Sequence, residues 1–161
     1  MRKTLFALAF AAPAALAQQA TFETRSLTPE TALVAARAAL ESCRKAGYQV
    51  AVAVVDRAGL PQVLLRDRFA SAHTVRVSID KAWTSASFKI PSAALAKETQ
   101  AGMPMSGLRS SPRVLAIGGA LPIEGGGSLY GAIGVSGAPG GEADEACAAA
   151  GIKAIADAVG F

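Results

Sequence analysis

The stretch Tyr48 to Arg66, YQVAVAVVDRAGLPQVLLR, constrains the fold more than any other. It predicts two short apolar strands, Gln49 to Val55 and Gln62 to Arg66, joined across Asp56-Arg57-Ala58-Gly59. Asp bonds its own backbone two residues on and Gly accepts positive φ, the two properties that a tight turn needs. Val and Ala run through the first strand with no clean polar alternation, which predicts a central strand covered on both faces. Helices should therefore flank the sheet. A second Gly-rich hairpin near residues 115–136 is expected to join it.

The helices follow from caps and periodicity. Thr28, Pro29 and Glu30 form a coherent start, because a hydroxyl cap, a residue with no N–H to satisfy and a negative charge each suit the exposed first-turn amides. Leu33, Ala36, Leu40 and Cys43 then recur at 3, 4 and 3, a stripe for packing on the sheet, and Gly47 ends the helix. A second helix is expected from about Ser71 to Phe88. At 100° per residue Val75, Ile79, Ala82 and Ala86 share one face, predicted to be core, and His73, Val77, Asp80 and Thr84 share roughly the opposite one, left for solvent, a partner or a ligand. Pro91 breaks this helix and Ser92 opens a short one that ends near Thr99. Residues 100–113 carry two Pro, two Gly and three Ser, which predicts a long irregular loop of the kind that often has a function. Val114 to Ile117 and Ala120 to Ile123 read as a strand interrupted by Gly118-Gly119, followed by a turn at Glu124 to Gly127. Leu129 to Ser136 reads as a strand approached closely by another backbone or a bulky ligand. A last helix is expected from about Glu142 to Val159, with Glu142, Asp144 and Glu145 complementing its dipole.

Residues 1–17 have the pattern of a secretory signal: Arg2 and Lys3, an apolar run from Leu5 to Leu16, and small residues at Ala15 and Ala17, so cleavage is expected after Ala17. Residues 18–26 read as a loose leader and residues 27–161 as one domain. The expected destination is a bacterial periplasm or the exterior. The apolar run is shorter than the ~20 residues that span a bilayer, and no membrane insertion is expected of the mature chain. Removing 17 of 161 residues leaves 144, enough for a single core. Without Arg2 and Lys3, 14 basic residues stand against 12 acidic, and this dispersed surplus of +2 gives no basis for nucleic-acid binding.

Cys43 and Cys147 lie in a chain expected to reach a disulfide-permissive compartment, yet spacing does not show whether their helices touch. Small buried core residues are the favoured reading, and a disulfide is the open alternative. No Cys-x-x-Cys-His is present, which excludes covalent c-type haem attachment, and zinc clusters are equally absent from the sequence.

His73 is the only histidine. Neutral imidazole is a good ligand for a metal or haem iron, and the ordinary alternative is a capping or surface histidine. Arg66, Arg68 and Arg76 cluster near it in sequence and suit the carboxylates of an anionic ligand, or else are solvated charge paired with Asp67 and Asp80. Met103 and Met105 offer soft thioethers for copper or haem, or simply fill a gap. Gly131, Gly134 and Gly137 are spaced by three and match neither a phosphate loop nor a dinucleotide fingerprint, and there is no G-x-S-x-G elbow.

VAVAVVDRAG at 50–59, HT at 73–74, DKAWTSASF at 80–88, IPS at 90–92, GGALPI at 118–123, GAIGVSGAPGGEADE at 131–145 and the following AGIKAI closely resemble the GlcG/HbpS-like family of haem-degrading or haem-binding domains. The resemblance implies a single α/β (α+β) domain with an antiparallel sheet flanked by helices, similar to profilin-like and PAS-like architecture, assembled into dimers or higher oligomers. It also implies haem as cofactor, with some members in redox-sensing systems, so that a membrane sensor or another protein is a possible partner. Thr84 in KAWT and His73 in HT are the positions to which the family's iron contacts carry over. These residues of one helix lie eleven positions apart, about 16 Å along its axis, so they cannot both bind one iron. With no flavin or nicotinamide fingerprint, any haem degradation would be chemistry of the bound iron, and the chain itself is not expected to act as the catalyst. The alternative is a non-catalytic module of the same fold that binds a small metabolite or a protein.

Overall fold

In the computed structural model, which describes residues 20–160, the sheet has four strands in the order β2-β1-β4-β3, all antiparallel. These are β1 (Ala51–Asp56), β2 (Pro61–Arg66), β3 (Ala120–Gly125) and β4 (Ser128–Ser136). The helices are α1 (Pro29–Lys45), α2 (Ala72–Phe88), α3 (Ser92–Glu98), α4 (Gly141–Lys153) and α5 (Ala156–Val159), with a 3-10 turn at Ser106–Ser110. The chain is thus a single α+β domain. The expected signal, residues 1–17, lies outside the described residues; residues 20–26 are exposed and carry no regular structure.

The first hairpin forms as its residues dictate. Asp56 Oδ1 accepts from the amides of Ala58 and Leu60, and Gly59 takes φ +79°, so the turn closes on its own side chain and its one permissive residue. The central strand β1 is buried along Ala51 to Val55 and is covered on both sides. On one face Val50, Val52, Val54, Ile133 and Val135 pack against α1 and α4; on the other Ala53, Val55 and Ala132 meet α2 through Ala82 and Ala86. Thr28 caps α1 by accepting the Thr31 amide at 3.2 Å.

The α2 face is small-residue packing, and this corrects the expected stripe. Ala82 and Ala86 do face the sheet, but Val75 and Ile79 are only half-buried, while Thr74, Ser78, Lys81, Thr84 and Ser85 are buried. Gly134 of β4 explains why: a Cβ there would collide with the backbone oxygen of Ser78 and lie 2.8 Å from the amide nitrogen of Ala82. The helix backbone therefore sits nearly on the strand, leaving no room for large side chains. Hydroxyls tolerate this burial by bonding back to helical or adjoining carbonyls, as Thr74 does to Ser71 O at 2.6 Å and Ser78 to Val75 O at 3.0 Å.

Three further expectations change. Cys43 of α1 and Cys147 of α4 are joined in a disulfide with Cα atoms 5.5 Å apart, not free core thiols. Their helices meet closely because Gly151 lets α4 approach Ala35 and Ala39 of α1. Residues 114–117 are not a strand: the Leu115 amide bonds a side chain of α2 in place of a ladder partner, so β3 begins only at Ala120. The last helix is two, since the Ile155 amide bonds Ile152 O and tightens the chain, which brings Ile155 and Val159 onto the core.

Candidate functional site

A cleft of about 670 Å³ lies where the first turns of α2 meet the Ser136–Gly141 connection and the start of α4. That volume falls within the range of small-molecule sites. Phe69 and Ile117 stand exposed at its edge, Val77 lines a wall, and His73 lies exposed among the lining residues on the first turn of α2. The lining also includes Gly137, Gly140 and Gly141; a Cβ at Gly137 would meet the backbone of Gln49 and Val50 and one at Gly141 the backbone of Gly118, so these glycines let the connection pack closely at the rim of the cleft.

The cleft also holds an ion pair. Lys81 of α2 is 3% exposed, and its Nζ donates to Asp144 Oδ2 of α4 at 2.7 Å and to Val135 O of β4 at 3.0 Å. Asp144 is equally buried, and its other oxygen accepts the Ala138 amide at 3.0 Å. Burial pushes the Asp144 carboxyl above the ordinary carboxylate range, against the opposing pull of the Lys81 ammonium. Gly119 makes room for the pair: a Cβ there would lie 2.6 Å from Lys81 Nζ and 2.8 Å from Asp144 Cβ.

The predicted site residues separate into those that line this cleft and those that do not. His73 does. Thr84 is fully buried rather than on a free face: its hydroxyl donates to Asp80 O at 2.7 Å and accepts the Leu115 amide at 2.9 Å, pinning the 113–117 segment to α2. Arg66 donates to Ala70 O at 2.6 Å, and Arg76 pairs with Asp80 on its own helix. Arg68 is exposed, and none of the three arginines lines the cleft. Asp67 pairs not with Arg66 or Arg68 but with Arg44, whose guanidinium grips both carboxylate oxygens at 2.6 and 2.9 Å. Met103 and Met105 are partly exposed in the long loop and do not reach the cleft. Among the described residues no group of three or more His, Cys, Asp or Glu is placed to hold a metal ion.

A second depression of similar volume lies at the β3–β4 turn, lined by Arg57, Lys89, Glu124 and the glycines that follow. Its charged residues are all exposed, so it has none of the buried chemistry of the first.

Residues 27–153 match the family model described as haem-degrading protein HbpS-like. The chain belongs to that family. Among solved structures, a double mutant of HbpS from Streptomyces reticuli is 37% identical, with a TM-score of 0.79, and the match covers 90% of this chain and 97% of that one. The Klebsiella pneumoniae protein ORFY aligns at 26% identity and a TM-score of 0.83 over 86% of this chain and 97% of its own. A PduOC:heme complex aligns at 30% identity and a TM-score of 0.76, covering 81% of this chain and 95% of the other. Comparison with curated proteins finds no match.

The ion pair is the part of this HbpS-like site that the motifs alone did not disclose. In the sequence Asp144 reads as a complement to the helix dipole, and Lys81 carries no signal of its own. A signal was present: Thr74, Ser78, Lys81 and Ser85 recur at 4, 3 and 4, a polar stripe at helical spacing. A lysine inside such a stripe is buried only with an acid to meet it.

Proposed function

We propose that this protein is an exported haem-binding protein that seats haem in the cleft at the start of α2, with His73 as axial ligand. The observation that carries this is the cleft itself, whose lining includes His73, the chain's only histidine, together with Phe69, Val77, Ile117 and the buried cation Lys81. An imidazole donor, apolar walls for a flat ring and a cation for acidic substituents are the donor set that haem requires. Thr84 is engaged by Asp80 and Leu115, which favours His73 as the residue that would hold the iron. Membership of the haem-degrading family and the likeness to a haem complex support the same assignment. Bound haem would supply iron chemistry with peroxide or oxygen; the chain would contribute binding and orientation.

Export is supported by the residue 1–17 pattern together with the Cys43–Cys147 disulfide, which persists in oxidising compartments. Self-association is supported by edge strand β2, where Leu64 is 41% exposed near Leu60 at 60%. Light scattering of the mature chain measures it.

Titration of the purified mature protein with hemin tests the site. A Soret shift that saturates in the wild type and is lost or displaced in His73→Ala is expected. A spectrum that never departs from that of free hemin, or one identical in His73→Ala, refutes this assignment.

A further inference from the structure

The geometry points to Lys81 as a carboxylate anchor in the cleft, reading the acidic group of whatever ligand enters. An ammonium has three N–H donors in fixed tetrahedral directions. Asp144 Oδ2 and Val135 O take two of them, at 2.7 and 3.0 Å, and no third acceptor among the described residues meets the last. Leaving a donor on a buried charge unmatched is costly, and the cost is recovered when a ligand oxygen fills it.

Three features of the surroundings favour an anion there. Position 119 is glycine, so no side chain caps the ammonium, and any Cβ would close the space at 2.6 Å. Gly140 and Gly141 bring the first turn of the thirteen-residue helix α4 to the same cleft with no side-chain cap on its amides, which leaves backbone donors there while Glu142 and Asp144 offset the helix dipole. Asp144 and Lys81 are the buried charges of the lining, and they cancel; the cleft therefore does not repel a carboxylate as an acidic pocket would. Asp144 holds the lysine in place, which makes it a positioning residue rather than a contact. The arginines near His73 in sequence are engaged elsewhere or lie off the cleft, which leaves Lys81 as the cation that faces it.

This rests on the same cleft as the haem assignment but not on iron. The carboxylate has two possible sources, a haem propionate or a small free acid, and the test separates them. Wild-type protein is titrated with hemin and with hemin dimethyl ester, whose carboxylates are masked while the iron is unchanged; the protein is not altered, so folding is not at issue. Esterification is expected to weaken binding roughly tenfold to a hundredfold, the size of a lost charge-assisted hydrogen bond. Lys81→Met/Asp144→Leu, which removes both charges together, should bind the two porphyrins equally. Equal affinity of wild type for both, with a normal Soret shift, overturns Lys81 as propionate anchor and leaves the haem assignment standing.

In a second arm, iron-free protein is titrated with butyrate while the amide resonances of Gly119 and Ala138, which flank the pair, are followed. Saturable shifts that vanish in the double variant identify a free-acid site, even if hemin does not bind. If neither the ester comparison nor the butyrate titration shows discrimination, the anchor is refuted.

Discussion

Lys81 and Asp144, 63 residues apart in sequence, meet at 2.7 Å with both side chains 4% exposed, and so tie α2 to α4 at the end of β4. The two halves of this pair are not equivalent. Removing Asp144 leaves an ammonium buried without a counter-charge, whereas removing Lys81 leaves a carboxyl that burial already pushes toward its neutral form. Asp144→Ala should therefore cost about 3–5 kcal/mol in urea unfolding, Lys81→Met distinctly less, and Lys81→Met/Asp144→Leu least of all. Equal losses in the two single variants would contradict this asymmetry.

The disulfide between Cys43 and Cys147 closes 104 residues, so it restricts the unfolded chain along most of the domain. Loop-closure entropy for a ring of that size corresponds to about 4–5 kcal/mol at most, and native cross-links typically contribute about 2–4. Cys43→Ala/Cys147→Ala should lower the urea midpoint accordingly. Because both residues are nearly inaccessible, reductant should act slowly on the folded protein and quickly near the midpoint. Rapid reduction in native buffer, followed by mass spectrometry after alkylation, would show that α1 and α4 separate readily.

Acid should act on a different pair. The Arg44 guanidinium holds the Asp67 carboxyl below the ordinary carboxylate range, with the Arg68 amide adding a third donor at 2.8 Å. A depressed value in the folded state means that the unfolded chain binds the proton first. The pair's contribution is then complete above the unfolded carboxylate value, near 4, and is lost as pH falls through the lower folded value. Asp67→Asn should flatten the acid limb of the stability curve between those two points and change its slope little above pH 6. An unchanged acid limb in thermal melts would remove this pair from the account.

Thr84 separates a structural hydroxyl from a ligand. Its oxygen is bonded on both sides within α2 and the 113–117 segment, where Arg113 holds a left-handed backbone at φ +69° and lies 4.8 Å from the Trp83 ring. Thr84→Val leaves the Leu115 amide without its acceptor, at a cost of about 1–3 kcal/mol, and Thr84→Ser should restore most of it. Neither change should move the Soret band of the hemin complex. A Soret displacement in Thr84→Val with stability intact would make Thr84 the iron contact instead.

How much of this was legible depends on whether the signal was local. The β1–β2 hairpin and the start of α1 were, because Asp56, Gly59, Thr28 and Pro29 each act on backbone within four residues of themselves. Of the residues singled out for a ligand, His73 alone lines the cleft; Thr84, Arg66, Arg68 and Arg76 do not. The buried face of α2 was hidden, since apolar periodicity looks for bulk, whereas the facing strand carries Gly134 and admits only Ala, Ser and Thr. The roles of Asp67 and Asp144 were hidden for another reason: their partners are 23 and 63 residues away, and nearer charges were more obvious choices. The contact of Cys43 with Cys147 likewise depends on two helices meeting over Gly151, which spacing alone does not express.

Gly119 provides the sharpest test of the cleft because its neighbours are the ion pair itself. It adopts φ +122°, a conformation that disfavours any Cβ, and an alanine there would meet Lys81 Nζ at 2.6 Å, Asp144 Cβ at 2.8 Å and Val135 O at 2.9 Å. Gly126 is a control: it also has positive φ, at +53°, but a Cβ there meets nothing within 4 Å. Gly126→Ala should cost about 1 kcal/mol, the backbone term alone. Gly119→Ala carries a backbone term and must also displace Lys81 from Val135 and Asp144, so its unfolding midpoint should fall clearly further. If the two variants melt together, the ammonium moves aside without loss, and the ion pair is not the rigid element that holds α2 against α4.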